Sequence, residues 1–107
     1  MKKILFFKLQ NGKEPVKDWL LSLDNSKKIR IIKRIERIYD NNFGDYKQIA
    51  PNLYELRFTI GKGYRIYYTI KDTTVVLLLN AGDKSNQERD IELAKRYINE
   101  SFGVKNV

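Results

Sequence analysis

The apolar positions of the chain recur at two periods, and the switches between them divide it into seven elements. Ile4 to Leu9 is a short apolar run closed by the turn signal Asn11-Gly12, which predicts an edge or second strand of a sheet. Pro15, tolerated in a first helical turn, opens a short helix to about Leu23. Val16, Trp19, Leu20 and Leu23 recur at helical spacing along it, so Trp19 reads as a core anchor before it reads as a base-stacking platform. Asn25 or Ser26 can cap a second helix running to about Tyr39. Ile29, Ile31, Ile32, Ile35, Ile38 and Tyr39 fill one half of its wheel, and Lys27, Arg30, Lys33, Arg34 and Arg37 crowd the other. Asn41, Asn42 and Gly44 end it, with Gly44 suited to a left-handed terminal position.

From residue 53 the period changes to two. Tyr54, Leu56, Phe58 and Ile60 alternate with Glu55, Arg57 and Thr59. Gly61-Lys62-Gly63 predicts a tight turn, after which Tyr64, Ile66, Tyr68 and Ile70 alternate with Arg65, Tyr67 and Thr69. Beyond Lys71-Asp72-Thr73, the nearly unbroken apolar run Thr74–Leu79 predicts a central strand covered on both faces. These three strands form an antiparallel meander. Ser85-Asn86-Gln87-Glu88 matches a capping box, and the helix after it buries Ile91, Ala94, Tyr97 and Ile98, with Leu93 at the margin. The expected order is strand, helix, helix, three strands, helix: an α+β fold in one domain spanning residues 1–107, with 101–107 as a frayed tail.

Composition narrows the chemistry. The chain has 107 residues, no Cys and no His. That excludes a disulfide scaffold and a thiol nucleophile, and it removes the commonest general base and most catalytic metal sites. No metal and no cofactor are expected. Twenty-one Lys+Arg against 13 Asp+Glu leave a net charge of +8, which in so small a protein points to a polyanion, most often nucleic acid, or to an acidic protein partner. Residues 25–40 carry six positive and two negative charges, which fits either a solvated helix face or contact with phosphates or an acidic partner. The apolar run after Lys2-Lys3 stops at Lys8, too short for a secretion signal, and no stretch is long enough to span a membrane; a cytoplasmic location is expected.

The hairpin concentrates the chemistry. With Gly61-Lys62-Gly63 as its loop, Thr59 faces Arg65 and Arg57 faces Tyr67, so Glu55, Arg57, Arg65 and Tyr67 share the face away from the apolar alternates. Arg57 and Arg65 become diagonal neighbours within reach of one phosphate. Alternatively, Arg57 stacks on Tyr67 and Glu55 neutralises the remaining charge. Asn80-Ala81-Gly82-Asp83-Lys84-Ser85 joins the last strand to the capped helix, placing Lys84 just before a helix start that offers amide N–H groups.

Leu53-Tyr54-Glu55-Leu56-Arg57, Gly61-Lys62-Gly63-Tyr64-Arg65-Ile66-Tyr67-Tyr68, Leu77-Leu78-Leu79 and Gly82-Asp83-Lys84-Ser85 with Gln87 and Asp90-Ile91 together resemble the phage-derived HigB-type addiction module killer proteins of the RelE/ParE toxin superfamily. The resemblance spans about residues 4–100 and implies a RelE-like β-α-α-β-β-β-α fold, a twisted, mainly antiparallel sheet with helices packed on it. It further implies the toxin of a type II toxin–antitoxin pair that cleaves mRNA on ribosomes, held inactive by an antitoxin carrying a helix-turn-helix domain. Arg65 falls where RelE-like enzymes place a phosphate-binding Arg, Arg57 at a basic position on the preceding strand, and Lys84 near a basic residue after the last strand. RelE-like toxins often carry a catalytic Tyr or His near the C-terminus; this chain has no His, and Tyr97 lies on an apolar helix face.

Without a metal-ligand set, the chemistry expected is attack of the RNA 2′-OH on the adjacent phosphate, with Arg57, Arg65 and Lys84 stabilising the phosphorane. Glu55 is a candidate base or a structural ion-pair partner, and Lys84 a candidate acid. Tyr67 would stack a base or orient Arg57. Lys62 and the helical set Lys27, Arg30, Lys33, Arg34 and Arg37 are the candidate RNA contacts. Two other functions share the pattern: a ParE-like poison without chemistry, and a phage regulatory module that binds nucleic acid through the basic helix.

Overall fold

Strands form where the period-two pattern is cleanest, and the computed structural model, which describes residues 2–103, adds one strand that the pattern does not reveal. The elements are β1 (Lys3–Phe6), α1 (Pro15–Leu21), α2 (Asn25–Glu36) continued by a 3-10 turn (Arg37–Asp40), β2 (Tyr46–Ala50), β3 (Leu53–Arg57), β4 (Arg65–Lys71), β5 (Val75–Gly82), a second 3-10 turn (Lys84–Asn86) and α3 (Gln87–Gly103). One five-stranded sheet has the order β1-β5-β4-β3-β2, with β1 parallel to β5 and every other pair antiparallel. The α+β architecture is therefore as expected, with β2 as an extra edge strand. Of the expected tail, residues 101–103 continue α3, and 104–107 lie outside the described residues.

Two apolar layers hold the sheet between helices. On one face, Val16 and Leu20 of α1 and Ile31 and Ile35 of α2 pack with Leu56, Ile66, Tyr68, Val76 and Leu78. On the other, Ala94 and Tyr97 of α3 pack with Leu53, Tyr67, Leu77, Leu79 and Phe7. The small Ala94 lets α3 approach closely, and Phe7 stacks on Tyr97 at 4.7 Å between ring centroids. Because helices cover both faces, β4 and β5 are buried on alternate and intervening residues alike. Trp19 meets Tyr64 edge-on at 5.2 Å, in keeping with a packing role.

Helix ends differ from the sequence reading by a residue or two. Asp24, one residue before the expected caps, accepts the Lys27 amide at 3.0 Å and starts α2. Asn41, not Gly44, is the left-handed terminator, at φ 64°. The expected Ser85 capping box is replaced by Asp83, whose carboxylate accepts the Ser85 amide at 2.9 Å and opens the 3-10 turn before α3. The apolar half of α2 is only partly used: Ile31, Ile35 and Ile38 are buried, whereas Ile29, Ile32 and Tyr39 stay exposed. Ile32 and Tyr39 join Ile4, Phe6, Leu20 and Leu21 in an apolar groove between α1, α2 and β1.

A bulge in β5 sets up the site. Tyr67 pairs with Asn80 but Tyr68 pairs with Leu78, so Leu79 is an extra residue. Leu77 and Leu79 face α3, and so does Asn80, whose side-chain amide donates to the Asp90 carbonyl of α3 at 3.0 Å. Strict alternation would turn Asn80 and Gly82 to the opposite face.

Candidate functional site

The β3–β4 register places Arg57 directly opposite Arg65 and Glu55 opposite Tyr67. The expected register is thus shifted by two: the turn at 61–63 forms, with Gly63 N–H donating to the Ile60 carbonyl at 3.3 Å, but the strands stop earlier and the connection through residues 58–64 is closed by Phe58 N–H donating to the Tyr64 carbonyl at 3.0 Å. A shift of two preserves which residues share a face. Arg57 and Arg65 are therefore direct neighbours on one face, closer than the diagonal arrangement expected.

Each arginine has its own carboxylate. Arg65 Nη1 donates to Glu55 Oε1 at 2.6 Å, with side-chain exposures of 16% and 2%. Arg57 donates to Asp45 Oδ1 from Nη2 at 2.8 Å and from Nε at 3.2 Å, with both partners partly exposed. Carboxylate pairing on one side of each guanidinium orients it; outside the pairs, Arg57 keeps Nη1, while Arg65 Nε is buried. The face these groups occupy is not solvent, because α3 covers much of it. Glu55 is buried, and its carboxylate also accepts from Gln87 Nε2, the first residue of α3, at 3.3 and 3.4 Å. Among the two readings of Glu55, this geometry matches the ion-pair partner.

Tyr67 departs from expectation. Its side chain is wholly buried beneath α3, which leaves no ring face for a base. Burial, reinforced by Glu55 and Asp90, pushes its phenol up from the ordinary tyrosine range, so it stays neutral. Tyr67 Oη, Arg65 Nε, Thr69 Oγ1 and Asn80 Oδ1 are buried without a hydrogen-bond partner among the described residues, and together they form a polar seam between α3 and the sheet.

Lys84 lies in the β5–α3 connection, beside the β3–β4 loop. Its amide donates to the Lys62 carbonyl at 3.4 Å, which ties the β3–β4 loop to the start of α3. Gly63 lies beside Lys84, where a Cβ would make ordinary contact with Lys84 Cβ at 3.5 Å; its φ of +75° is what favours glycine there. Gly82 is opposite Arg65 and has a different reason for its small size. A Cβ on it would lie 2.2 Å from Asp90 Oδ2. Lys62 and Lys84 are exposed.

The five candidate RNA-contacting cations of α2 and its 3-10 continuation divide. Arg30, Lys33 and Arg37 are exposed, and Lys27 makes a 3.6 Å pair with Asp24. Arg34 does not belong to the outward set. Its guanidinium donates to the carbonyls of Arg57, Phe43 (3.2 Å) and Asp45 (2.7 Å) and lies 4.6 Å over the Phe58 ring. Burial lowers its pKa from the ordinary arginine value. Arg34 is a strut that seats Arg57 and Asp45, and the expectation that it grips RNA is corrected accordingly. Sequence reasoning also passed over Asp45, Asn80 and Gln87 as members of the site. Asn80 alone had a local signal, a polar residue closing an apolar strand.

A RelE-like α+β fold with paired arginines at the ends of its central strands defines the class. Residues 18–99 match the family model described as phage derived protein Gp49-like (DUF891), and the chain belongs to that family, which is part of the RelE/HigB-like toxin group. It is 44% identical over 78 residues to an uncharacterized protein of Haemophilus influenzae (strain ATCC 51907 / DSM 11121 / KW20 / Rd), an overlap covering 72% of this chain and 79% of the relative. Membership of a toxin group implies an antitoxin partner. Among the described residues, no helix is long and apolar enough to cross a membrane.

Proposed function

We propose that this protein is the toxin of a type II toxin–antitoxin pair that binds single-stranded mRNA at Arg57, Arg65, Lys84 and Lys62 and cleaves it on the ribosome. The observation that carries the reading is the direct cross-strand opposition of Arg57 and Arg65, each held on one side by a carboxylate. Two guanidinium groups on one face repel, and a phosphodiester between them relieves that repulsion while using their remaining donors. The partner restraining the toxin is an antitoxin with a helix-turn-helix domain, and the setting is the cytoplasm.

In this mechanism the RNA 2′-OH gives its proton to solvent water as its oxygen attacks the adjacent phosphorus, the bond to the 5′-oxygen breaks, and a 2′,3′-cyclic phosphate and a free 5′-hydroxyl result. Arg57 and Arg65 donate to the non-bridging oxygens as charge grows there, and Lys84 supplies the proton taken by the 5′-oxygen. Each such donor is typically worth on the order of 2.7–4 kcal/mol in the transition state. No metal or cofactor is invoked. Attack in line with the leaving oxygen is imposed by mRNA already positioned on the ribosome, which suits so sparse a site. Arg30, Lys33 and Arg37 add contacts to ribosomal RNA that carry no sequence preference.

One observation favours a second reading. Both Glu55 oxygens are engaged by Arg65 and Gln87, which leaves it poorly placed to take the 2′-OH proton. A non-catalytic poison of the ParE kind would need no base. Induced expression followed by primer extension on cellular mRNA separates the two. Discrete new 5′ ends that vanish in Arg57→Ala support cleavage, and growth arrest without new ends supports the poison.

A further inference from the structure

Arg65 is paired with Glu55, and Glu55 is in turn held by Gln87, whose Nε2 lies 3.4 Å from Oε1 and 3.3 Å from Oε2. Glu55 Oε1 takes Arg65 Nη1 at 2.6 Å, and its Oε2 accepts at 3.3 Å from Gln87 Nε2, its one hydrogen-bond donor among the described residues. A buried carboxylate with one oxygen unsatisfied carries a desolvation penalty of about 1–3 kcal/mol or more, enough to rotate it. Gln87 is also the first residue of α3, directly after the turn that carries Lys84. A single amide therefore ties the helix, the buried carboxylate and the arginine together.

We propose that Gln87 is a positioning residue, which fixes the plane of the Arg65 guanidinium through Glu55 and so sets the geometry of the anion site. The inference rests on the reading of Arg65 as a phosphate ligand, and it adds a residue that touches neither RNA nor the reacting atoms. Its chemistry makes a distinctive demand. Residue 87 must donate a hydrogen to Glu55 without bringing a second charge.

Gln87→Glu tests that demand because it keeps the shape and changes only the donor. At low pH the two facing carboxyl groups share one proton, and the acid O–H replaces the amide N–H. As pH rises that proton leaves, two carboxylates face each other, and Arg65 can neutralise only one of them. The other charged or titratable groups around this contact are Lys47 opposite Glu55 on β2, Arg57 on β3, Arg65 and Tyr67 on β4, Lys84 before α3 and Asp90 on α3. Glu55 forms its ion pair with Arg65.

The experiment compares wild type, Gln87→Glu and Gln87→Leu at about pH 5.5 and about pH 8, a span chosen to bracket such a shared proton. Two readouts are taken on the full-length protein: the Arg65 side-chain N–H resonances, and, with ribosomes loaded with mRNA, the rate of mRNA cleavage relative to wild type at the same pH. The expected result is a Gln87→Glu protein that matches wild type at the lower pH. At the higher pH its Arg65 resonances shift and its relative rate falls roughly tenfold to a hundredfold, the loss typical of a misplacement near 1 Å. Gln87→Leu, lacking the donor, shows displaced Arg65 resonances at both pH values. Arg65 resonances that match wild type in both variants, or a relative rate equally reduced at both pH values, overturn the proposal. If wild type cleaves no RNA, the reading as a nuclease fails, while the Arg65 resonances still decide the role of Gln87. If Gln87→Glu unfolds at the higher pH by circular dichroism, the resonances of Gln87→Leu decide it.

Discussion

Arg57 and Arg65 stand directly opposite each other on neighbouring strands, yet their carboxylate partners sit in unlike surroundings. The Arg65–Glu55 pair is buried, whereas Arg57–Asp45 is partly exposed. Two arginines proposed to do one job therefore make very different contributions to stability.

Truncating them separates the two contributions. Arg65→Ala leaves the buried Glu55 without its counter-charge, a change that typically destabilises by about 3–5 kcal/mol. Arg57→Ala breaks a solvent-screened pair and should change stability by about 0–1 kcal/mol. Urea denaturation of both variants checks this, with equal midpoints as the contrary outcome. Arg65→Lys, which keeps a charge against Glu55, is then the better functional probe: the protein stays folded, but the bidentate donor geometry is lost.

Arg34 offers a contrast within one helix. Arg34→Met leaves three backbone carbonyls without their guanidinium and should destabilise by about 1–3 kcal/mol, which is visible in thermal melts. Neutralising Arg30, Lys33 and Arg37 together should leave the melt nearly unchanged. It should reduce the salt dependence of ribosomal RNA binding by about two to three units of slope, at roughly 0.7–0.9 per charge removed. A salt slope that falls for Arg34→Met but not for the triple variant contradicts this division.

Asp90 predicts a pH effect on stability. Burial pushes its carboxyl above the ordinary aspartate range, with Arg89 opposing and Asp83 adding to the shift. Because the folded-state pKa is raised, the fold favours the protonated form. The penalty of the buried charge is present above the folded pKa, and it fades as pH falls through that value. Asp90→Asn should therefore melt higher than wild type at neutral pH, with the advantage shrinking in acid. Melting temperatures across pH check this, and a difference that does not vary with pH contradicts it.

Much of this molecule could be read from residue spacing. The helices and the β3–β5 meander followed from clean periods of 3.6 and two, and the parity of those periods put Glu55, Arg57, Arg65 and Tyr67 on one face. β2 escaped because Tyr46, Lys47 and Gln48 are exposed at a sheet edge, so no buried face imprinted an alternation on them. The hairpin register slipped by two because Ile60 and Tyr64, which look like strand residues, belong to the connection. The β5 bulge reversed parity after Leu79 and brought Asn80 and Gly82 to α3, an event with no local sequence marker beyond one asparagine. Tyr67 reads from the sequence as a residue that stacks a base or orients Arg57 because period two says which residues share a face and is silent on what covers that face. Here α3 does.

The central claim is that Arg57 and Arg65 hold one phosphate between them. It is tested most directly by following arginine side-chain N–H resonances while adding a short single-stranded RNA blocked against cleavage by 2′-deoxy substitution. The account predicts that Arg57 and Arg65 shift together along a single binding curve, and that Arg57→Ala abolishes the response of Arg65 as well. Shifts confined to Arg30 of α2 and Arg37 of its 3-10 continuation, with Arg57 and Arg65 unmoved, would contradict it.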